Sequence, residues 1–143
     1  MTGRLRAPLA VLGLIALLGG GPRGPVPLAA HALVLESTPA NNARLPAPPA
    51  EMRIRFNGRI EHALSRATLT PVRITPAGGT APSGAAVSLP VRPAEHAGRP
   101  APDRIVLALP ALAPGTYLVR WKVLAADGHI TDGTLRFTIE GSR

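Results

Sequence analysis

Apolar and polar residues alternate along several short stretches of this chain, which is the pattern of β-strands buried on one face. The clearest stretches are Glu51 to Asn57, Thr116 to Val123 and Thr134 to Glu140. Weaker stretches of the same kind are 33–36, 66–72, 87–91 and 104–109. Since no stretch has a helical period, the pattern predicts an all-β fold of about seven strands.

The segments between these strands are rich in Pro, Gly, Asn and Ala and are predicted to be turns and loops. They are 38–42, 45–49, 75–86 and 93–102, together with a turn at Pro114-Gly115. Short strands joined by such connectors are typical of a two-sheet antiparallel sandwich or a Greek-key β-barrel. The strand spacing therefore favours that architecture over any helical or α/β fold.

Length and composition narrow the range of functions. The chain has 143 residues, enough for one domain and too few for a two-domain enzyme. It contains no Cys, which excludes disulfides, thiolate metal sites and a catalytic thiol. The formal net charge of +8 comes from scattered Arg residues, and the few aromatic residues lie at core-facing positions, so nucleic-acid binding is not indicated.

Residues 1–30 have the features of a secretory signal peptide, which leaves 31–143 as the exported domain. Arg4 and Arg6 precede an apolar stretch from Leu9 to Leu18 that is too short to span a bilayer. Cleavage after Ala30 would make His31 the first mature residue. Cleavage after Ala32 fits the small-x-small rule slightly better and would remove that histidine.

The candidate chemistry is concentrated at Asp127-Gly128-His129. On an extended segment the side chains of Asp127 and His129 would project to the same side, and a carboxylate beside an imidazole suits a metal ion. Asp-Gly is also a common hairpin turn, in which His129 would be an ordinary exposed residue. The residues by themselves leave both interpretations open.

From His31 to Glu140 the chain resembles the periplasmic copper-binding CopC family. Three groups of residues carry the resemblance. They are His31-Ala32 with Ser37 and Pro39-Ala40, then Arg55-Phe56-Asn57, and finally the block from Pro114-Gly115-Thr116-Tyr117 through Trp121 to Asp127-Gly128-His129 and Phe137. Their order and spacing over nearly the whole exported length make the likeness specific.

The resemblance implies a Greek-key β-barrel, cupredoxin-like or immunoglobulin-like in outline, that holds one Cu(II) in the periplasm. The implied ligands are the amine and imidazole of a mature N-terminal His31, together with Asp127 and His129, and this set requires cleavage before His31. A tetragonal set of nitrogen and oxygen donors suits Cu(II), and its affinity is expected to fall with pH because the ligands must be deprotonated. Implied partners are a CopD-type inner-membrane copper permease or a cuproenzyme.

Two departures from the family pattern limit what is carried over. Some members bind Cu(I) through a Met-rich loop, whereas the only methionine after residue 30 is Met52, which the alternation places in the core. Some members carry an acidic residue shortly after the second-strand Phe, where this chain has Asn57-Gly58, so Glu61 is assigned no copper role. His62 and His96 are predicted to lie in loops as ordinary surface histidines.

Three functional classes follow. A copper carrier without catalytic activity is preferred. A copper oxygenase with an N-terminal histidine brace is the second, and Asp127 argues against it because a carboxylate would occupy a position that oxygen needs. The third is a metal-free sandwich domain that binds another protein.

Overall fold

The computed structural model describes residues 31–141, which form ten β-strands and no helix. The strands are β1 (Val34–Thr38), β2 (Ala43–Leu45), β3 (Glu51–Phe56), β4 (Ile60–Ile74), β5 (Thr80–Pro82), β6 (Val87–Leu89), β7 (Val91–His96), β8 (Arg99–Ala108), β9 (Gly115–Ala125) and β10 (Ile130–Ile139). The predicted signal peptide, 1–30, lies outside the described residues. Within 31–141, no helix is present that could cross a membrane.

The strands form two sheets. The first has the order β1-β3-β8-β7, and the second has the order β2-β10-β9-β4-β5 with β6 also paired to β4. All pairs are antiparallel except β2 with β10, which is parallel. The all-β fold class predicted from the alternation is confirmed.

The core lies between the two sheets and is built from the inward-facing residues of the alternating strands. From β3 these are Met52, Ile54 and Phe56, none more than 1% exposed. They face the second sheet, where Phe56 packs edge-to-face on Trp121 with ring centroids 5.3 Å apart. Met52 is fully buried, as the alternation predicts.

The structure has three strands more than the predicted seven: β2 and β5 are short edge strands that no alternation marks, and the predicted stretch 87–91 is divided between β6 and the start of β7. β2 and β5 are three residues each, and β5 lies within 75–86, so the prediction of a loop there is wrong for 80–82. The position of β2 beside β10 depends on distant contacts: the Arg136 N–H donates to Asn41 Oδ1 at 2.9 Å, and the Asn42 N–H donates to Arg136 O at 2.6 Å. Such contacts across the chain leave no local signal in the sequence.

The prediction that 93–102 is a loop is wrong. This segment forms a β-hairpin between β7 and β8, in which His96 pairs with Arg99 around a two-residue turn. Ala97 and Gly98 have φ values of 51° and 73°, as the tight hairpin turns that match strand twist require. Pro93 is accommodated because β7 is an edge strand with a bulge just after it.

Candidate metal centre

The Asp-Gly-His motif forms the turn between the two longest-paired strands, β9 and β10. The Gly128 N–H donates to Ala125 O at 2.9 Å, and the Ala125 N–H donates to His129 O at 2.8 Å. Gly128 has φ of +87°, a left-handed conformation that glycine adopts without steric cost. The segment is thus a tight turn, which is the second of the two conformations that the sequence left open.

The turn still places the two candidate ligands against each other. Asp127 Oδ1 accepts the backbone N–H of His129 at 3.0 Å, and Asp127 Oδ2 lies 2.6 Å from Nδ1 of the same histidine. The backbone N–H of His129 lowers the pKa of the Asp127 carboxyl, and the imidazole acts in the same direction. Asp127 is therefore an ionised carboxylate at neutral pH.

His31 is the first residue that the structure describes, and it lies at the same end of the sandwich as the Asp-Gly-His turn. Its ring lies edge-on to that of His129, with centroids 5.4 Å apart and planes at 69°. The next residue, Ala32, is only 2% exposed and belongs to the core. Leu33 is fixed by Asn57, whose Oδ1 accepts the Leu33 N–H at 2.8 Å and whose N–H donates to Leu33 O at 2.9 Å.

The structure thus brings together all three residues singled out from the sequence, His31, Asp127 and His129. In the observed side-chain conformations, no three His, Asp or Glu side chains within 31–141 form a group that could hold a metal ion. Since a carboxylate can only accept, Nδ1 of His129 is the donor in its bond to Asp127, and in the neutral imidazole the Nε2 lone pair would then be available to a metal. A carboxylate that orients a histidine in this way is a common feature of metal sites.

The other two histidines, His62 and His96, lie on strands and not in loops, so the prediction that they lie in loops is wrong. His62 is on β4 and half-buried, and its Nε2 donates to Arg104 O of β8 at 2.8 Å, which links the two sheets. His96 is exposed on β7 at the hairpin. Glu61 is exposed on β4 and pairs with Leu124 of β9. Sequence reasoning missed the role of Asn57, which depends on a contact between residues far apart in the chain.

The family model of the CopC domain matches residues 34–140. The chain belongs to the CopC domain family. This confirms the resemblance seen in the sequence. The matched span includes Asp127 and His129, while His31 lies just before it.

Known relatives agree with this assignment. This chain is similar to Protein YobA of Escherichia coli K12, at 30% identity over 78% of this chain and 80% of that protein. It is similar to copper resistance protein C of Xanthomonas campestris pv. juglandis, at 28% identity over 78% and 81% of the two chains. The crystal structure of CopC from Methylosinus trichosporium OB3b matches with a TM-score of 0.59 and 26% identity, over 79% of this chain and 97% of that one.

Proposed function

We propose that this CopC domain binds one Cu(II) ion and carries or buffers copper in the periplasm without catalysing a reaction. The ligands are the α-amine and imidazole of His31, the carboxylate of Asp127 and the imidazole of His129. The amine becomes available when the signal peptide is cleaved between Ala30 and His31. Copper is the cargo of this protein, and its release is as much a part of the function as its binding.

The observation that carries the proposal is the meeting of His31 with the Asp127-His129 pair at one end of the sandwich. The two imidazole centroids are 5.4 Å apart, and a carboxylate lies 2.6 Å from one of the rings. The side chain of His129 is 65% exposed and that of Asp127 is 24% exposed, so an ion can reach them from solvent. Two imidazoles, a carboxylate and a chelating amine are a donor set that suits Cu(II).

Binding by all of these ligands requires a local rearrangement. Asp127 Oδ2 is engaged with Nδ1 of His129, so direct coordination by Asp127 involves exchanging this hydrogen bond for a bond to copper. Coordination by Nε2 of His129 leaves the bond in place. Since Asp127 is at the tip of a hairpin turn, a change in its rotamer does not disturb the core.

The family supports copper as the ion and a periplasmic location. A curated relative is named copper resistance protein C, and the cleaved export signal predicted at 1–30 would deliver the domain to the periplasm. A CopD-type inner-membrane permease or a cuproenzyme is the proposed recipient of the copper.

The test is a Cu(II) titration of the protein that begins at His31, followed by electron paramagnetic resonance. We expect one tetragonal Cu(II) per chain. Asp127→Ala and His129→Ala should each lose this signal. A protein with one additional glycine before His31 should also lose it, because the α-amine is then displaced from the imidazole by a peptide bond.

His96→Ala is the matched control, since His96 is exposed on β7 and forms no metal-binding group with other His, Asp or Glu side chains of the described residues, so its loss should leave the spectrum unchanged. A wild-type protein that takes up no stoichiometric copper would overturn the proposal and favour a metal-free interaction domain. Oxidation of a polysaccharide by the copper-loaded protein would overturn the carrier function in favour of an oxygenase.

A further inference from the structure

The turn between β3 and β4, residues 57–59, contacts both halves of the candidate copper site. On one side, Asn57 makes two hydrogen bonds with the backbone of Leu33, two residues after His31. On the other side, Arg59 O accepts the N–H of Ala126 at 3.0 Å, immediately before Asp127. The separation between the N-terminal arm, residues 31–33, and the Asp-Gly-His turn is therefore fixed through this one turn.

The N-terminal arm has few other attachments among the described residues. Pairing of β1 with β3 begins at Val34 opposite Phe56 and is interrupted at once by a register shift before Glu36. Leu33 and Leu35 are 59% and 55% exposed, so neither anchors the arm by burial. Among the described residues, the arm's other contacts are the burial of the small Ala32 side chain and the edge-on contact of the His31 ring with His129, so its hydrogen bonds to Asn57 are what fix its backbone.

The Asn57 side chain satisfies the backbone group of Leu33 that the Asn57 backbone does not reach. Its own N–H already satisfies Leu33 O, and Oδ1 adds an acceptor for the Leu33 N–H, so both polar groups of that residue are fixed. Loss of Oδ1 leaves one bond, about which the arm can pivot. Since His31 is two residues away, such a pivot displaces its amine and imidazole relative to His129.

We propose that Asn57 is a positioning residue of the copper site, acting through the N-terminal arm to hold His31 beside His129. This inference rests on the proposed function. Residues that orient metal ligands without touching the metal contribute about 10- to 100-fold to affinity. Because the Asn57 bond is exposed and its backbone partner bond survives mutation, we expect a loss of about tenfold in Asn57→Ala.

The experiment compares copper affinity, electron paramagnetic resonance and urea stability in the protein that begins at His31. Asn57→Ala should weaken copper binding and produce a heterogeneous spectrum. Asn57→Asp retains an acceptor oxygen and should be closer to wild type in both respects. Asn41→Ala is the matched control, because Asn41 Oδ1 also accepts a backbone N–H, at 2.9 Å, but lies beyond the other end of β1. This variant should leave copper affinity unchanged.

A double-mutant cycle separates positioning from a general structural effect. In a His31→Ala background, which keeps the α-amine of residue 31 and removes the imidazole, Asn57→Ala should cause a smaller loss of affinity than in the wild-type protein, since part of what Asn57 positions is already absent. An equal loss with and without His31, or wild-type affinity in Asn57→Ala, would overturn the positioning role while leaving the proposed function intact. Absence of copper binding in the wild-type protein would overturn both.

A second measurement needs no copper. Hydrogen exchange at the Leu33 amide should accelerate in Asn57→Ala and remain slow in Asn41→Ala, while the Ala126 amide, bonded to Arg59 O, should be unaffected in both. Unchanged protection of the Leu33 amide in Asn57→Ala would show that Asn57 Oδ1 does not fix the N-terminal arm, and would refute the positioning role directly.

Discussion

Replacing Gly133 by alanine tests the packing of the second sheet. Gly133 of β10 pairs with Trp121 of β9, and the indole lies over the glycine. A Cβ at position 133 would be 2.5 Å from Cζ2 and 2.9 Å from Cε2 of Trp121. The ring is only 5% exposed and packs against Phe56, so it cannot swing out of the way without disturbing the core.

Two opposing effects determine how much Gly133→Ala changes the free energy of unfolding. Inserting a methyl group into a well-packed core costs about 1–3 kcal/mol through displaced side chains and backbone. Alanine also restricts the unfolded chain more than glycine does, which stabilises the folded state by about 0.4–1 kcal/mol. We therefore expect Gly133→Ala to lower the free energy of unfolding by about 1–2 kcal/mol.

The assay is urea unfolding followed by the fluorescence of the chain's single tryptophan. Gly58→Ala is the matched control, because a Cβ at position 58 would have no atom within 4 Å and the φ of Gly58 is not left-handed. The stability of this control should equal or exceed that of wild type. If Gly133→Ala were as stable as Gly58→Ala, the close approach of Trp121 to Gly133 would be refuted.

Three further substitutions or titrations test other contacts. Tyr117→Phe removes the bond from the Tyr117 hydroxyl to Ala113 O at 2.8 Å and should lower the free energy of unfolding by about 1 kcal/mol in urea; an unchanged midpoint would contradict this. His62→Ala removes the link to Arg104 O and should destabilise the protein by about 1–3 kcal/mol while leaving copper uptake intact, so a loss of copper would show that His62 is a ligand. The backbone N–H of His129 lowers the pKa of the Asp127 carboxyl in the folded protein. This bond therefore adds to the free energy of unfolding above the ordinary Asp pKa, and its contribution is lost as pH falls through the lower pKa of the folded state. Carbon NMR of the metal-free protein should show that the Asp127 carboxyl has a lowered pKa, and an ordinary Asp pKa would refute the turn geometry.

The sequence was most informative where one face of a strand is buried. Met52, Ile54 and Phe56 alternate with more exposed residues because β3 has the core on one side and solvent on the other, and this alternation located the strand to within one residue. The β7–β8 hairpin was missed because its prolines suggest a loop. Its turn at Ala97-Gly98 was readable only as a weak signal, since alanine rarely adopts a positive φ.

The residues of the candidate site could be proposed from the sequence, but their arrangement in space could not. Asp127 and His129 are two apart and share a turn, so a local motif was enough to single them out. The approach of His31 to His129 depends on tertiary structure, and only the family resemblance pointed to it. The contact between Asn57 and Leu33 joins residues 24 apart and involves a side chain that would be ordinary in any turn.

The arrangement of the proposed ligands would link copper binding to folding. His31 and His129 meet only when β1 is paired with β3 and the β9–β10 hairpin is formed, so the unfolded chain does not hold the proposed ligands together. A ligand that binds the folded state alone stabilises it by mass action, by about 2.7 kcal/mol at a free concentration one hundred times Kd. The core residues that determine global stability are distinct from the exposed side chains of the site. Site variants such as Asp127→Ala should therefore lose the copper-dependent stabilisation while the metal-free protein remains folded, which allows binding and folding to be measured separately.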